Sequence, residues 1–461
     1  MCEAADTVAR LAAALAEAGI GEGTRIAVIG ANSPWHYIVH VAASWLRAVT
    51  VPLSPRMPSP ALTSMCEQVG VSWVFLDEAS SRTHAPALSD AGAQVASFAD
   101  LSAWADRAAP IGHPPARCGT ELAAILFTSG STGTPRPVEL THEVMWWGST
   151  NFREGFDYAP TSSVVGVCAP ASHIGGFNGT SMDVWTHGGT LVTLGFPGSF
   201  DARGVIDAIE RYGITMMFAV PAIVRAILDE HERGGGDLSS WVRPLIGGDA
   251  MTADLTDAMR TVGLAPIHVW GMTETSGAGT VATPDSGAPA GSLGVPFPYV
   301  DLRLMATDER EAGVGELGEI WVRGPGVVSG TEWLRTGDLA TKDEDGWLHM
   351  VGRAHRMINT GGELVAPPTV ERALRSLDEV SDALVVGLPD ERWGQIVAAL
   401  IVPTPEGRAQ ASSMSTEALS EALSDAQAPW EKVRRVLIVD ALPTTTTGKP
   451  DPVAAARLFD S

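Results

Sequence analysis

Short apolar, often β-branched runs alternate with amphipathic segments through the first three hundred residues of the chain. Runs typical of buried strands occupy residues 25–30, 50–53, 73–76, 123–128, 164–169, 190–194, 215–220, 244–247 and 267–270. Helical periodicity lies between several of them, as at residues 203–211 before Gly213 and at residues 221–230 before the glycine run 234–236. Strands that alternate with helices predict βαβ units and mainly parallel sheets.

The pattern changes at Leu302, beyond which short strands and glycine turns dominate. Strands are indicated at residues 319–323 and 347–351, and a second α/β pattern follows Gly352. It predicts helices over residues 368–377 and 416–426 and strands over 383–386, 397–402 and 435–439. We therefore predict an α/β protein. Its large N-terminal domain, residues 1–353, contains mostly parallel sheets and a β-rich portion, and a small C-terminal α/β domain spans residues 354–461.

Net charge narrows the classes of partner. The 461 residues carry 31 basic and 54 acidic side chains, a formal charge of −23. Nucleic acid and anionic membrane surfaces both attract basic proteins, so neither is expected as a partner. The four cysteines, listed here, form no C-x-x-C pair and are expected to be reduced thiols: Cys2, Cys66, Cys118 and Cys168. With neither a signal peptide nor a membrane span in the pattern, a cytoplasmic location is expected.

A loop rich in hydroxyls and glycines follows the apolar run at residues 123–128. Its sequence is Ile125-Leu-Phe-Thr-Ser-Gly-Ser-Thr-Gly-Thr-Pro-Arg-Pro-Val138, without the spacing of a Walker A loop. Glycines let backbone approach a ligand closely, and hydroxyls add donors, so the loop is suited to phosphate. The residues concerned are Thr128, Ser129, Gly130, Ser131, Thr132 and Gly133. An ordinary surface turn has a similar composition, so the loop alone leaves both interpretations open.

Five further segments follow in a fixed order. They are Gly247-Gly-Asp-Ala250, Trp270-Gly-Met-Thr-Glu274, Leu334-Arg-Thr-Gly-Asp338, Gly352-Arg-Ala-His-Arg-Met-Ile-Asn-Thr-Gly-Gly362 and Leu442-Pro-Thr-Thr-Thr-Thr-Gly-Lys449. With the loop, they resemble the adenylate-forming superfamily, which includes acyl- and aryl-CoA synthetases and carrier-loading enzymes. The likeness runs from about residue 7 to Lys449. It implies that a carboxylic acid reacts with ATP to give an acyl-adenylate, from which a thiol, usually CoA, displaces AMP.

The resemblance implies a role for each nucleotide-site residue. The loop would hold the β and γ phosphates, Thr273 would bond the α-phosphate, and Glu274 would help bind Mg²⁺. Lys449 would bridge the attacking carboxylate and the α-phosphate, where negative charge gathers. The ribose would be bound by Asp338 and Arg353. An adenine slot would be formed by Gly247, Gly248, Trp270 and Gly271.

The resemblance also implies a thiol site and a hinge. The small domain is expected to be mobile and to turn about a hinge at His355, where most relatives carry Asp or Lys. An imidazole at this position would make the turn sensitive to pH. Gly361 and Gly362 would line the pantetheine tunnel, and Trp393 would contact the CoA nucleotide.

The acid pocket is expected to be mostly apolar. His173 corresponds to the family's gate between acid pocket and thiol tunnel. The pocket itself would be drawn from His173, Ile174, Phe177, Asn178, Phe218, Gly247, Gly271 and Met272, without a Lys or Arg. This set predicts a bulky, mainly hydrophobic carboxylic acid as substrate, whereas the identity of the acid stays open.

Several positions depart from the family pattern. Relatives usually continue the loop as Pro-Lys-Gly-Val, whereas this chain has Pro135-Arg-Pro-Val138. Arginine lacks the compact ammonium of lysine, and Pro137 removes an N–H group. Thr369 stands where an acidic residue is common, and residues 330–335 form a shortened segment.

These departures leave four interpretations. The protein is a complete acyl-CoA ligase using ATP, Mg²⁺ and CoA, or it mainly converts a preformed acyl-AMP to the thioester. Alternatively it loads a carrier protein supplied in trans, or it binds nucleotide without catalysis; Glu274 and Lys449 argue against the last. The oligomeric state is open, and a homodimer is one expectation.

Overall fold

The computed structural model describes residues 2–114, 118–128, 135–196, 200–249, 251–409, 430–445 and 450–460. The chain divides into two compact units, the larger formed by residues 1–303 and 321–334 and the smaller by residues 304–320 and 335–461. These units are defined by the contacts inside each of them, which do not show at which residue one domain would turn relative to the other. The predicted boundary after residue 353 therefore stays a prediction.

The first sheet of the larger unit is mainly parallel. Its strands are β1 (Arg25–Ile29), β2 (Val49–Leu53), β3 (Trp73–Leu76), β4 (Gln94–Ser97), β5 (Leu122–Thr128) and β6 (Arg136–Thr141), in the order β4-β3-β1-β2-β5-β6. Only the β5/β6 pair is antiparallel. The helices are α1 (Cys2–Glu17), α2 (Pro34–Trp45), α3 (Ser59–Gln68), α4 (Glu78–Asp90) and α5 (Phe98–Arg107).

Helices cover both faces of this sheet because successive strand residues point to opposite sides. Along β1, Ile26 and Val28 pack in a cluster with residues of α1, α2 and α5. Ala27 and Ile29 pack in another with residues of α3 and α4. All four of these side chains are 0–1% exposed.

The second sheet of the larger unit has the order β13-β12-β11-β10-β9-β7-β8. Its strands are β7 (Val164–Val167), β8 (Thr190–Thr193), β9 (Met216–Ala219), β10 (Arg243–Gly247), β11 (Ile267–Trp270), β12 (Thr280–Ala282) and β13 (Val295–Pro296). The helices of this part are α6 (His142–Gly155), α7 (Ile174–Phe177), α8 (Thr180–Thr186), α9 (Ala202–Tyr212), α10 (Pro221–Gly234) and α11 (Ala253–Thr261). The strands from β7 to β11 run parallel, and β12 and β13 are antiparallel.

The remaining strands form two smaller sheets. One has the order β14-β15-β16-β17 and comprises β14 (Asp301–Met305), β15 (Gly318–Arg323), β16 (Leu334–Lys342) and β17 (Leu348–Arg353). The other has the order β19-β18-β21-β20, and a fifth strand, β22, also pairs with β21. Its strands are β18 (Ile358–Thr360), β19 (Glu363–Val365), β20 (Val380–Asp390), β21 (Gly394–Pro403) and β22 (Arg435–Ile438). The helices are α12 (Pro367–Arg375), α13 (Pro405–Ala409) and α14 (Pro452–Arg457).

The last sheet also has a core on each face. Along β20, Ala383 and Val385 pack with Val370 and Leu374 of α12. Leu384 and Val386 point the other way and pack with residues of α14. The predicted α/β class is therefore confirmed in both units. The helix predicted over residues 416–426 lies outside the described residues.

Candidate functional site

A tightly wound turn follows β11 and carries Thr273 and Glu274. The Met272 carbonyl accepts hydrogen bonds from the N–H groups of Thr275 and Gly277, at 3.1 and 2.9 Å. A Cβ on Gly271 would lie 2.1 Å from the Gly277 carbonyl oxygen, so this backbone approach requires glycine. The turn therefore holds two of the predicted catalytic residues in a fixed backbone, with Thr273 only 6% exposed.

The carboxyl ends of three parallel strands lie side by side beside this turn. Phe218 of β9 pairs with Leu245 of β10, and Gly247 pairs with Val269 of β11. Ligands of parallel α/β sheets bind at such strand ends. The structure thus brings together Phe218, Gly247, Gly248, Trp270, Gly271 and Met272, which the sequence placed in the adenine slot and acid pocket. Their ligand-binding roles stay predictions.

The segment after β7 is held by Asn32, which the sequence reasoning missed. Its amide nitrogen donates to the carbonyls of Val167 and Ala169 at 3.0 and 2.8 Å, and its Oδ1 accepts from the Ala171 N–H at 2.8 Å. His173 follows as the N-cap of α7. The only available signal was an asparagine three residues after the end of β1, which does not reveal a contact 135 residues away.

The predicted acid-pocket residues differ in exposure. Ile174, Met272 and Phe218 are partly exposed, as is His173. Phe177 is fully buried, and the ring of His40 meets it edge-on at 4.9 Å between centroids. Asn178 is 1% exposed, and its amide nitrogen donates to the Met145 carbonyl and the Ser276 hydroxyl. Phe177 and Asn178 are thus buried, and their contact with the acid stays a prediction.

The hydroxyl-rich loop begins at Thr128, and its residues 129–133 lie outside the described part of the chain. On either side of it, β5 and β6 pair as far as Thr128 opposite Arg136, with a register shift between Leu122 and Ala124. Pro137 lies opposite Phe127 in β6, which is the edge strand of its sheet. An edge strand tolerates proline because one side of its backbone has no partner strand. The unusual Arg136-Pro137 pair thus lies in a paired edge strand.

In the smaller unit, Asp338 and Arg353 are paired across β16 and β17. The Arg353 Nε lies 2.9 Å from Asp338 Oδ1, and the two residues are in register. The Asp338 side chain is 4% exposed, whereas that of Arg353 is 48% exposed. A buried carboxylate beside an accessible guanidinium can accept hydroxyl hydrogen bonds, as the predicted ribose role requires.

His355 lies between two arginines that are each tied to a buried carboxylate. Arg353 pairs with Asp338, and Arg356 lies 3.5 Å from Glu371 of α12. The pKa of His355 is lowered from its ordinary value by partial burial and then by Arg353 and Arg356, against the opposing effect of Asp338. The imidazole is therefore favoured in its neutral form in this arrangement.

Trp393 packs on the backbone of Gly361. A Cβ on Gly361 would lie 2.6 Å from the indole Cε3, and the Gly361 N–H donates to the Trp393 carbonyl at 2.8 Å. The guanidinium groups of Arg392 and Arg434 lie 4.9 and 4.8 Å from the indole ring centroid. Neighbouring Gly362 has a φ of +93° and open space around it. The arginines were not predicted as site residues, and Lys449 lies outside the described residues.

Within the described ranges, no group of three His, Cys, Asp or Glu side chains could hold a metal ion. A single carboxylate such as Glu274 fits Mg²⁺ that takes its other ligands from phosphates and water. None of the helices in these ranges is both long and apolar enough to cross a bilayer.

Both the N-terminal and the C-terminal part of the chain match models of known protein families. Residues 2–331 match the model described as AMP-binding enzyme, and residues 369–449 match the AMP-binding enzyme C-terminal domain. The chain is 32% identical to a feruloyl-CoA synthase of Amycolatopsis sp, over 96% of this chain and 90% of that protein. It is 28% identical to an indoleacetate–CoA ligase of Aromatoleum aromaticum, with the same coverage of 96% and 90%.

The fold is also that of solved structures. The o-succinylbenzoate CoA synthetase from Bacillus subtilis, in complex with its acyl-adenylate intermediate, matches with a TM-score of 0.86 and 23% identity, over 97% of this chain and 91% of that one. At this level of identity the likeness concerns the fold alone. It confirms the predicted architecture of a larger and a smaller α/β part.

Proposed function

The chain belongs to the AMP-binding enzyme family, and we propose that it is an ATP-dependent, AMP-forming acid–thiol ligase. It would convert a bulky, mainly hydrophobic carboxylic acid, through an acyl-adenylate, to its CoA thioester. The relatives named above act on feruloyl and indoleacetate groups, which are both aromatic. They support an acid of mainly hydrophobic character.

One observation carries the proposal: the Thr273–Glu274 turn lies at the carboxyl end of β11, beside the glycine pair that ends β10. This is the edge at which α/β sheets bind ligands, and the turn's backbone is fixed by its own hydrogen bonds. Nucleotidyl transfer depends on positioning and on charge stabilisation, so a rigid turn of this kind is what the chemistry needs.

In the first half-reaction, an oxygen of the acid attacks the α-phosphorus of ATP and pyrophosphate leaves. Thr273 would bond the α-phosphate, and Asp338 with Arg353 would hold the ribose. Bound Mg²⁺, held by Glu274 and the phosphates, would neutralise their charge. Lys449 would place positive charge between the carboxylate and the α-phosphate. Thr128 and residues 129–133 would hold the outer phosphates.

In the second half-reaction, the thiol sulfur attacks the acyl carbon, and the bond from that carbon to AMP breaks. Trp393 would stack on the adenine of CoA, and Arg392 and Arg434 would pair with its phosphates. Neither arginine has an ion pair with a carboxylate among the described residues, so both can bind an anion. Gly361 and Gly362 would line the pantetheine path, and His173 would gate it. The change between half-reactions would use a hinge at His355.

The pairing of β5 with β6 supports the complete ligase over an enzyme limited to thioester formation. The doubt arose from Arg136 and Pro137, and both residues lie in a paired edge strand that tolerates them. The arginine pair beside Trp393 supports free CoA over a carrier protein as acceptor. A pantetheine arm on a carrier lacks the adenine and the 3′-phosphate that this cationic surface would bind.

A panel of carboxylic acids tests the proposal. Each acid is assayed with ATP and CoA, and again as synthetic acyl-adenylate with CoA. We expect thioester and AMP in both assays for at least one aromatic acid, with a ratio of one thioester to one AMP. Product only from the supplied adenylate would favour the limited enzyme. Product with pantetheinylated carrier but not with CoA would favour the carrier loader.

A further inference from the structure

We propose that Phe218 is the specificity-determining wall of the acid pocket, and that it selects planar aromatic acids over long aliphatic ones. The inference rests on the proposed ligase function. It concerns how one ring is held by two glycines, Gly175 and Gly247, which approach it from different elements.

Phe218 differs from its neighbours in β9. Met217 and Ala219 point to the other face, where they are 0% exposed in a cluster with Ile246. Phe218 points away from that cluster and stays partly exposed, although its strand lies in the interior of the sheet. A large apolar ring that is left partly open at the ligand-binding edge of the sheet forms a wall rather than a filled core.

Gly175 is a glycine because of this ring. A Cβ at residue 175 would lie 2.6, 2.8 and 3.2 Å from Cε1, Cδ1 and Cζ of Phe218, and these are its three nearest neighbours. The backbone of Gly175 does not have a positive φ, so its conformation alone would accept another residue. The missing side chain therefore makes room for the ring.

Gly247 limits the ring on another side. A Cβ added to Gly247 would lie 3.1 Å from Cε2 of Phe218 and 2.3 Å from the Val269 carbonyl oxygen. The ring thus rests on helix backbone at its Cδ1–Cε1 edge and on strand backbone at Cε2. Backbone cannot move aside as a side chain can, so the ring cannot swing towards either glycine to admit a longer ligand.

The chemistry of this wall favours an aromatic acid. A fixed phenyl ring offers a flat or edge-on contact to a second ring, worth more than the buried area alone. Ile174 and Met272 add apolar surface without charge. A long alkyl chain, by contrast, needs a deep pocket, and the Phe218 ring occupies the space into which such a chain would extend. Differences of one or two methylenes in such pockets change specificity by about 10- to 200-fold each.

The test compares cinnamic acid with decanoic acid as substrates for adenylation, by kcat/KM. Wild-type enzyme is expected to prefer cinnamate by at least about tenfold. Phe218→Ala should raise the value for decanoate and lower that for cinnamate, so that the ratio changes at least about 100-fold in favour of decanoate. Gly175→Ala should push the ring into the pocket and lower kcat/KM for cinnamate at least about tenfold.

Gly21→Ala is the matched control, because Gly21 has open space around it and does not have a positive φ. It should leave both values unchanged. If Phe218→Ala does not fold, Phe218→Leu supplies the same comparison, with a smaller change in the same direction. A ratio unchanged within twofold in a folded Phe218 variant, or a wild-type preference for decanoate, overturns the inference while leaving the ligase intact. If the wild-type protein activates neither of these acids nor any other, the proposed function is overturned, and the inference fails with it.

Discussion

Two of the aromatic side chains that pack on glycine backbone, Phe218 in the larger unit and Trp393 in the smaller, have different surroundings. Phe218 lies against Gly175 and Gly247, with apolar side chains nearby. Trp393 lies against Gly361, with two guanidinium groups within 5 Å of its ring centroid. Both rings are positioned by backbone, whereas only the second is part of a cationic surface.

The difference matches the two substrates of the proposed ligase. The body of a hydrophobic acid carries no charge beyond its carboxylate, so its wall needs shape alone. The nucleotide of CoA is a polyanion with an aromatic base, so it needs stacking together with positive charge. Although the chain has a formal charge of −23, the two arginines beside Trp393 place positive charge next to an aromatic ring.

The largest expected effect comes from removing this positive charge. In Arg392→Ala/Arg434→Ala, loss of two charged contacts should raise KM for CoA about 100-fold. The KM for the acid should stay within twofold of wild type. Arg408→Ala removes another exposed arginine of the same unit, one paired with Asp440, and should leave KM for CoA unchanged. An equal rise in both KM values would break the distinction between the two aromatic sites.

Changing Gly361 should have the next largest effect, confined to the second half-reaction. In Gly361→Ala the new Cβ would meet the indole at 2.6 Å, and the φ of +66° would be strained for alanine. We expect thioester formation from supplied acyl-adenylate to fall about 30-fold, because the indole is displaced. Adenylation, measured by pyrophosphate release, should be unchanged. A fall in adenylation of similar size would mean that the change disturbs the whole protein.

A smaller effect is expected at His355. Its pKa is lowered in the described arrangement, so protonation is disfavoured there. The ordinary pKa of histidine is about 6.5. As the pH falls through this value, conformations in which the imidazole is less buried and farther from the two arginines should gain population. The ratio of the two half-reaction rates should then change about threefold between pH 7.5 and pH 5.5. His355→Gln cannot titrate and should remove this change; an identical pH profile for the variant would exclude the histidine as the cause.

The sequence predicted local features well. The runs at residues 73–76 and 267–270 coincide with β3 and β11, since each is a short apolar segment between turn residues. Gly213 ends α9 with a φ of +60°, as the helix pattern indicated. By contrast β4 was missed, because in this edge strand only Ala96 is buried and the apolar signal is weak.

Site residues could be proposed from the sequence only where a motif identified them. The turn at Thr273 and the pair Asp338 and Arg353 came from the family resemblance, and their roles stay predictions. Asn32 and the role of Gly175 were not accessible, because each depends on a contact with residues far away in the chain. The same holds for Arg434, which reaches Trp393 from beside a different strand.

Isotope exchange between pyrophosphate and ATP, dependent on the acid, tests the proposed ligase most directly. Wild-type protein with its best acid should catalyse this exchange without CoA and should form the CoA thioester when CoA is added. Lys449→Ala should lose the exchange while still converting supplied acyl-adenylate and CoA. Absence of exchange in the wild type, together with rapid thioester formation from supplied acyl-adenylate, would contradict the complete ligase.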